Sequence, residues 1–233
     1  LTEKTPSSHR EKMEQLSSRD RLIQTTARLL QERGYHGTGL KEILKYSETP
    51  SGSLYHHFPE GKEQLTAEAI SLAGERLENE MEMFAGLQRT AEQMEKVERT
   101  EATAQTVPVG PAKRIDLHGL GDVLREFTDH LGKELIQSGF QKGCPIATVV
   151  LEVAAENDRI QKVCSETYRK WENLVSSLLM KSGIDGPRSR SVALLLLSSI
   201  EGALVLSRAH RSLQPLEAVR FELENFLKEL SPV

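Results

Sequence analysis

Between Thr38 and Phe58 the chain reads TGLKEILKYSETPSGSLYHHF, and no other stretch constrains its fold as tightly. Leu40, Ile43 and Leu44 recur at helical spacing. Ser47-Glu48-Thr49 leave room only for a turn, and Pro50 then opens a second short helix that Phe58-Pro59 closes. A proline at the first helical position costs no hydrogen bond, because its missing N–H has no partner there. Thr38 is the expected N-cap of the first helix and Thr49 of the second. Two short helices joined this tightly must cross and bury their apolar residues together, so the segment predicts a helix-turn-helix.

The second helix carries small residues at its start, Ser51, Gly52 and Ser53. They permit close backbone approach to another surface, such as the major groove of DNA, which admits one helix. Leu54 is expected to point back into the protein, with Tyr55 and His56 outward. Thr38 and Lys62, near the starts of neighbouring helices, have the chemistry to meet phosphates. The same spacing also fits a helical hairpin that touches no nucleic acid. A metal reading of His56-His57 is weak, because adjacent helical residues diverge by roughly 100°. Gly61-Lys62 lacks the upstream glycine and following Ser/Thr of a P-loop. No metal and no cofactor is expected.

Periodicity extends the helical reading along the chain. Ser17-Ser18-Arg19-Asp20 offers a capping pattern before Leu22, Ile23, Thr26, Ala27, Leu29 and Leu30, and Gly34 ends that helix. A longer helix follows at 60–85. From residue 117 the pattern returns, with breaks at 139–143 and 183–187, a helix start at Pro145, a cap at Asn157-Asp158 and a last helix opened by Pro215. The expected class is all-α, with about nine helices. Residues 1–16 are polar and aperiodic, and 86–116 turn from Glu/Gln/Thr-rich to Val107-Pro108-Val109-Gly110-Pro111; both are expected to be flexible, the second in part.

The net charge of −4 excludes a basic nucleic-acid coat, yet residues 1–62 hold ten Lys/Arg against eight Asp/Glu, a mildly basic end on an acidic body. Cys144 and Cys164 form no zinc or CxxC pattern and are expected to be reduced thiols. Cys144, before a helix-opening proline, is a candidate redox thiol or a small buried hydrophobe. No secretory leader pattern is present, so a cytoplasmic location is expected. Val192 to Leu206 is apolar but interrupted by Ser198, Ser199, Glu201 and Gly202. It is expected to be a helix buried in protein rather than a membrane span.

Ser18 to Ile70 resembles the N-terminal domain of TetR-family transcriptional repressors, through RGYHGTGLKEIL, PSGSLYHHF and PEGKEQL. GFQKGCPIATVVLEVA (139–154) and SSIEGALVLSRA (198–209) are similar to the LmrA/YxaF-like subgroup. The resemblance implies a DNA-binding domain over 17–62, a connecting helix over 63–85 and a ligand-binding and dimerisation domain over 117–233. It implies an Ω-shaped homodimer that binds double-stranded operator DNA and is released by a small hydrophobic or planar aromatic effector. Carried onto this chain, the recognition helix is Pro50 to His57, and Thr38, Ser51, Ser53, Tyr55, His56 and Lys62 touch DNA. The pocket would draw on Phe84, Phe127, Leu131, Cys144, Thr148, Trp171, Val175 and Glu201. The last two helices would form the dimer interface, through Leu196, Ile200, Ala203, Leu206, Leu216, Leu223 and Phe226. Two residues depart from the pattern: Glu48 stands where the turn commonly has glycine, and Ser51 where the subgroup often has arginine. The rival readings are an all-α ligand-binding or adaptor protein without DNA binding, and an enzyme using the C-terminal pocket; no nucleophile–base or metal motif supports the second.

Overall fold

The computed structural model describes residues 16–86 and 117–230. The expected N-terminal tail, apart from residue 16, and the expected polar insertion beyond residue 86 lie outside the described residues. Among the described residues the regular elements are nine α-helices. They are α1 (Ser18–Arg33), α2 (Leu40–Ser47), α3 (Ser51–His57), α4 (Lys62–Phe84), α5 (Leu117–Gln137), α6 (Pro145–Val153), α7 (Asp158–Lys181), α8 (Gly186–His210) and α9 (Gln214–Glu229). The chain divides into two compact units, Leu1–Glu75 with Gln141–Tyr168, and Arg76–Phe140 with Arg169–Val233. Helices α4 and α7 therefore contribute residues to both.

In the first unit, α1 packs against α2, α3 and α6. It starts where Ser17 Oγ accepts from the Asp20 N–H at 3.1 Å, satisfying one of the donors a helix start leaves open. Its apolar face buries Leu22, Leu29 and Leu30 beside Ile43 of α2, Leu54 of α3 and Leu65 and Ile70 of α4, each at most 1% exposed. Burying one such side chain is worth about 1.5–3 kcal/mol, so this cluster outweighs any single cap in setting the helix arrangement. Gly74 admits the approach of α7 to α4: a Cβ there would lie 2.4 Å from Thr167 Cγ2.

Two caps differ from the expectation. The N-cap of α2 is Gly39, while Thr38 is fully buried and its hydroxyl donates to the Gly34 carbonyl at 2.7 Å. The N-cap of α3 is Pro50, and the Thr49 hydroxyl donates to the Ser47 carbonyl at 3.1 Å. In both places the threonine is drawn inward and closes the turn behind it instead of the helix ahead.

In the second unit α9 packs on both α5 and α8. Phe127, Leu135, Trp171, Leu178, Leu179, Leu223 and Leu227 are all buried there. The Ser176 and Ser189 hydroxyls, 2.9 Å apart, satisfy each other between α7 and α8. Arg125 of α5 donates to both carboxylate oxygens of Glu224 on α9, at 3.1 and 2.9 Å, and Arg220 pairs with Asp129. The Arg125 guanidinium holds the Glu224 carboxyl below its ordinary value, against the opposing effect of its burial. A depressed folded value means the stabilisation is whole above the unfolded carboxyl pKa of about 4.3 and is lost as pH falls through the lower folded value. Glu224→Gln is therefore expected to melt below the native protein at pH 7, with the gap in Tm closing as pH falls towards 3. A gap that does not depend on pH would refute this role.

The α8 helix divides into two faces. It is long and apolar enough to cross a membrane by length and composition, and its sequence is apolar on nearly every side. One face packs inside the unit through Val192, Ala193, Leu196, Ile200, Ala203 and Leu204. The opposite face, with Leu194, Leu195, Val205 and Leu206, is 44–51% exposed.

Candidate nucleic-acid interface

The α2–α3 pair turns over at Glu48, which adopts φ 51°, ψ 41°, the left-handed region that glycine enters at no cost. The helix C-terminus needs this geometry whatever residue occupies it: the Glu48 and Thr49 N–H groups donate back to the Lys45 and Leu44 carbonyls at 3.4 and 3.2 Å. The sequence departure at Glu48 thus leaves the turn intact.

On α3 the division of faces is sharp. Leu54 and, just beyond the helix, Phe58 are fully buried. Tyr55 is 58% exposed, Ser51 and His56 are exposed, and Ser53 is half-buried. A Cβ added at Gly52 would meet nothing within 4 Å, so the helix start is open to close approach. The two histidines have separate environments. His57 Nε2 lies 2.9 Å from the Ser18 hydroxyl and ties α3 to the start of α1, while His56 stays on the outer side. Among the described residues no group of His, Cys, Asp and Glu has the arrangement of a metal site.

The two phosphate-meeting candidates are held differently from this exposed set. Thr38 points inward, as described. Lys62 Nζ donates to the Tyr35 carbonyl at 2.7 Å and sits 3.9 Å above the Tyr35 ring. Burial lowers the Lys62 pKa, opposed by the nearby Glu152 carboxylate, and burial raises that of the Tyr35 phenol. The α1–α2 turn that carries Tyr35 is also gripped from α6: the His36 N–H donates to Glu152 Oε2 at 2.8 Å. Neither Tyr35 nor Glu152 stands out in the sequence, because neither follows a helical repeat.

The expected pocket residues fall into both units. Cys144 and Thr148 lie in the first, and each has a structural task there. The Cys144 sulfur caps α6, accepting from the Ala147 N–H at 3.5 Å. The Thr148 hydroxyl lies 3.1–3.2 Å from the carbonyls of Cys144, Pro145 and, on α1, Leu30, which share its one proton. The other six lie in the second unit. Phe84 meets Phe127 edge-on at 6.3 Å between ring centroids, and Phe84 also faces His130, which pairs with Glu80. Trp171 is 1% exposed, and Leu131, Val175 and Glu201 are half-buried. Cys164 is buried on α7, which pushes its thiol up to about 11.

Of the expected dimer residues, Leu196, Ile200, Ala203, Leu216 and Leu223 are at most 8% exposed, buried within this chain's own core. Phe226 is half-buried, and Leu206 at 49% is the exposed member. An exposed apolar surface beside them is the other stripe of α8, and Phe221 of α9 is 60% exposed. A Cβ at Gly202, within that stripe, would meet nothing within 4 Å.

Comparison with known proteins agrees with this layout. Residues 22–69 match the family model described as bacterial regulatory proteins, tetR family, and residues 121–222 match the C-terminal domain of LmrA/YxaF-like transcriptional regulators. An uncharacterized HTH-type transcriptional regulator of Mycobacterium tuberculosis (strain ATCC 25618 / H37Rv) is 30% identical over 214 residues, 90% of this chain and 93% of its own. The HTH-type transcriptional regulator LmrA of Bacillus subtilis (strain 168) is 28% identical over 211 residues, 91% and 97% of the two chains. In fold, a TetR transcriptional regulator from Legionella pneumophila superimposes with a TM-score of 0.69 at 18% identity, over 91% of this chain and 97% of that one.

Proposed function

The chain belongs to the TetR family of bacterial transcriptional regulators and carries an LmrA/YxaF-like C-terminal domain; from that membership we propose that it is a dimeric repressor released from its operator by a small hydrophobic or planar aromatic effector. It is a DNA-binding regulator and not an enzyme. The observation that carries the proposal is the split on α3, with Leu54 fully buried and Tyr55 58% exposed beside His56 and Ser51. An exposed tyrosine on a short helix with no other task there supports base-edge or backbone contact in the major groove. The mycobacterial relative named DhaR is called a repressor, which supports the sign of regulation.

The second face of α8 supports assembly as a dimer. Leu194, Leu195, Val205 and Leu206 make an apolar strip that one chain leaves uncovered. An isologous contact would cover both copies of it and set two reading helices about 34–36 Å apart. We assign the effector to the interior of the second unit, where Phe84 meets Phe127 edge-on and Trp171 is buried, so that it would have to displace packed aromatic rings. An effector acts there by favouring a conformation whose two heads no longer match the operator. Such a regulator works in the cytoplasm, where its DNA lies.

Selection of bound duplexes from a randomised library by the purified protein tests the reading. A palindromic site is expected, with affinity falling steeply as salt rises from 50 to 200 mM. No enriched sequence at any salt concentration would overturn it.

A further inference from the structure

The turn that joins α1 to α2, residues 34–37, is held from two sides. From α4, Lys62 Nζ donates to the Tyr35 carbonyl at 2.7 Å. From α6, Glu152 accepts the next N–H, that of His36, at 2.8 Å. The fit of Glu152 is close. Gly34 has φ 71° and ψ −172°, a conformation restricted to glycine, and a Cβ there would lie 1.7 Å from Glu152 Oε1. The carboxylate thus rests against a backbone that has no side chain in its way. Two weaker bonds run beside it from the same segment to the end of α1: the Gly143 N–H to the Gln31 carbonyl at 3.3 Å and the Thr148 hydroxyl to the Leu30 carbonyl at 3.2 Å.

The placement is unusual in one respect. Glu152 belongs to the stretch matched by the C-terminal-domain family, residues 121–222, yet it packs in the unit that carries the helix-turn-helix. Nothing else on α6 reaches the turn with a charge. Its carboxylate also supports the ammonium form of Lys62, which burial disfavours. One acidic side chain therefore orders the turn twice, directly at His36 and through Lys62 at Tyr35. The same turn sets where α2 begins, and the Arg33–Glu42 pair at 2.8 Å ties α2 back across it.

We propose that Glu152 is a positioning residue for DNA reading: through it the segment matched to the C-terminal domain holds the α1–α2 turn, and with it the α2–α3 pair, in the geometry that matches DNA. The proposal rests on the operator-binding function above. Glu152 touches no DNA in this scheme. It acts on the backbone of the reading head, so movement of α6, which also packs on α1, would reach the turn through this carboxylate.

The test uses the full chain and the duplex selected by the native protein. Glu152→Ala is expected to lower affinity for that duplex about tenfold, the size of one lost charge-assisted hydrogen bond. The slope of affinity against salt should stay unchanged, because no phosphate contact is removed. Hydrogen exchange at the His36 amide should quicken, with the exchange of α1 core amides unaltered. Glu152→Gln keeps an acceptor for His36 and loses the charge near Lys62, so it should recover part of the affinity. Native affinity with quickened His36 exchange in Glu152→Ala would overturn the proposal, as would slowed or unchanged exchange. If the native protein itself selects no duplex, the function proposed above fails instead, and the His36 exchange still reports whether Glu152 orders the turn.

Discussion

Glutamate placed at both Leu195 and Leu206 is expected to leave the protein folded, make it monomeric and remove measurable operator binding. The two leucines are 44% and 49% exposed on α8, so the charges meet water in a single chain and should change its stability by no more than about 0.5 kcal/mol. In a two-fold contact each substitution occurs twice, and four carboxylates would be buried without partners. Leaving a charge buried and unpaired costs several kcal/mol, enough to dissociate an interface of ordinary size. The monomer would still present α3, yet it would lose the gain from binding two half-sites at once, about 10²–10⁴-fold in affinity. Sedimentation and an operator titration on the same preparation read both effects. A variant that remains dimeric would place the interface on another face. Substituting the expected residues Leu196 or Ala203 would not make this test, because both are buried in the chain's own core and their loss would report on folding.

Tyr55→Ala is expected to produce the second large effect. The ring is 58% exposed, and its neighbours Leu54 and Phe58 do the packing. Stability should therefore stay within about 0.5 kcal/mol of native. Loss of a base or backbone contact in the groove is worth about 1–3 kcal/mol, roughly 5- to 150-fold in affinity. Titration of the selected duplex, with thermal melting as the control for folding, decides it. Unchanged affinity would move the reading surface away from this face of α3.

The contrast between Tyr55 and Lys62 shows what the sequence was able to convey. Both carry groups suited to DNA. Tyr55 sits one residue after a buried leucine on a short helix, and helical geometry alone turns it outward. Lys62 opens α4, where nothing in the local pattern says whether its four-carbon chain extends to solvent or folds back. It folds back onto the Tyr35 ring and carbonyl, 27 residues away in sequence. Thr38 is a similar case. Its N-cap chemistry was legible, but the competing Gly34 carbonyl became visible only once α1 and α2 were closed together. Cys144 and Thr148 show the same limit on the ligand side. The helix start marked Cys144 as chemically useful and the family resemblance placed Thr148 in the pocket; the fold uses them to cap α6 and to hold α1.

The sequence by itself determined the nine described helices, the helix-turn-helix and the family, because helical repeats, glycine stops and proline starts act over a few residues and survive in the chain as local pattern. The tertiary structure alone decided which side of each helix does what. α8 is apolar nearly all round, so its repeat could not say that Leu196 and Ala203 face inward and Leu195 and Leu206 outward. Glu152 lies 116 residues from His36. A bond of that kind depends on where whole helices come to rest, and no spacing along the chain records it.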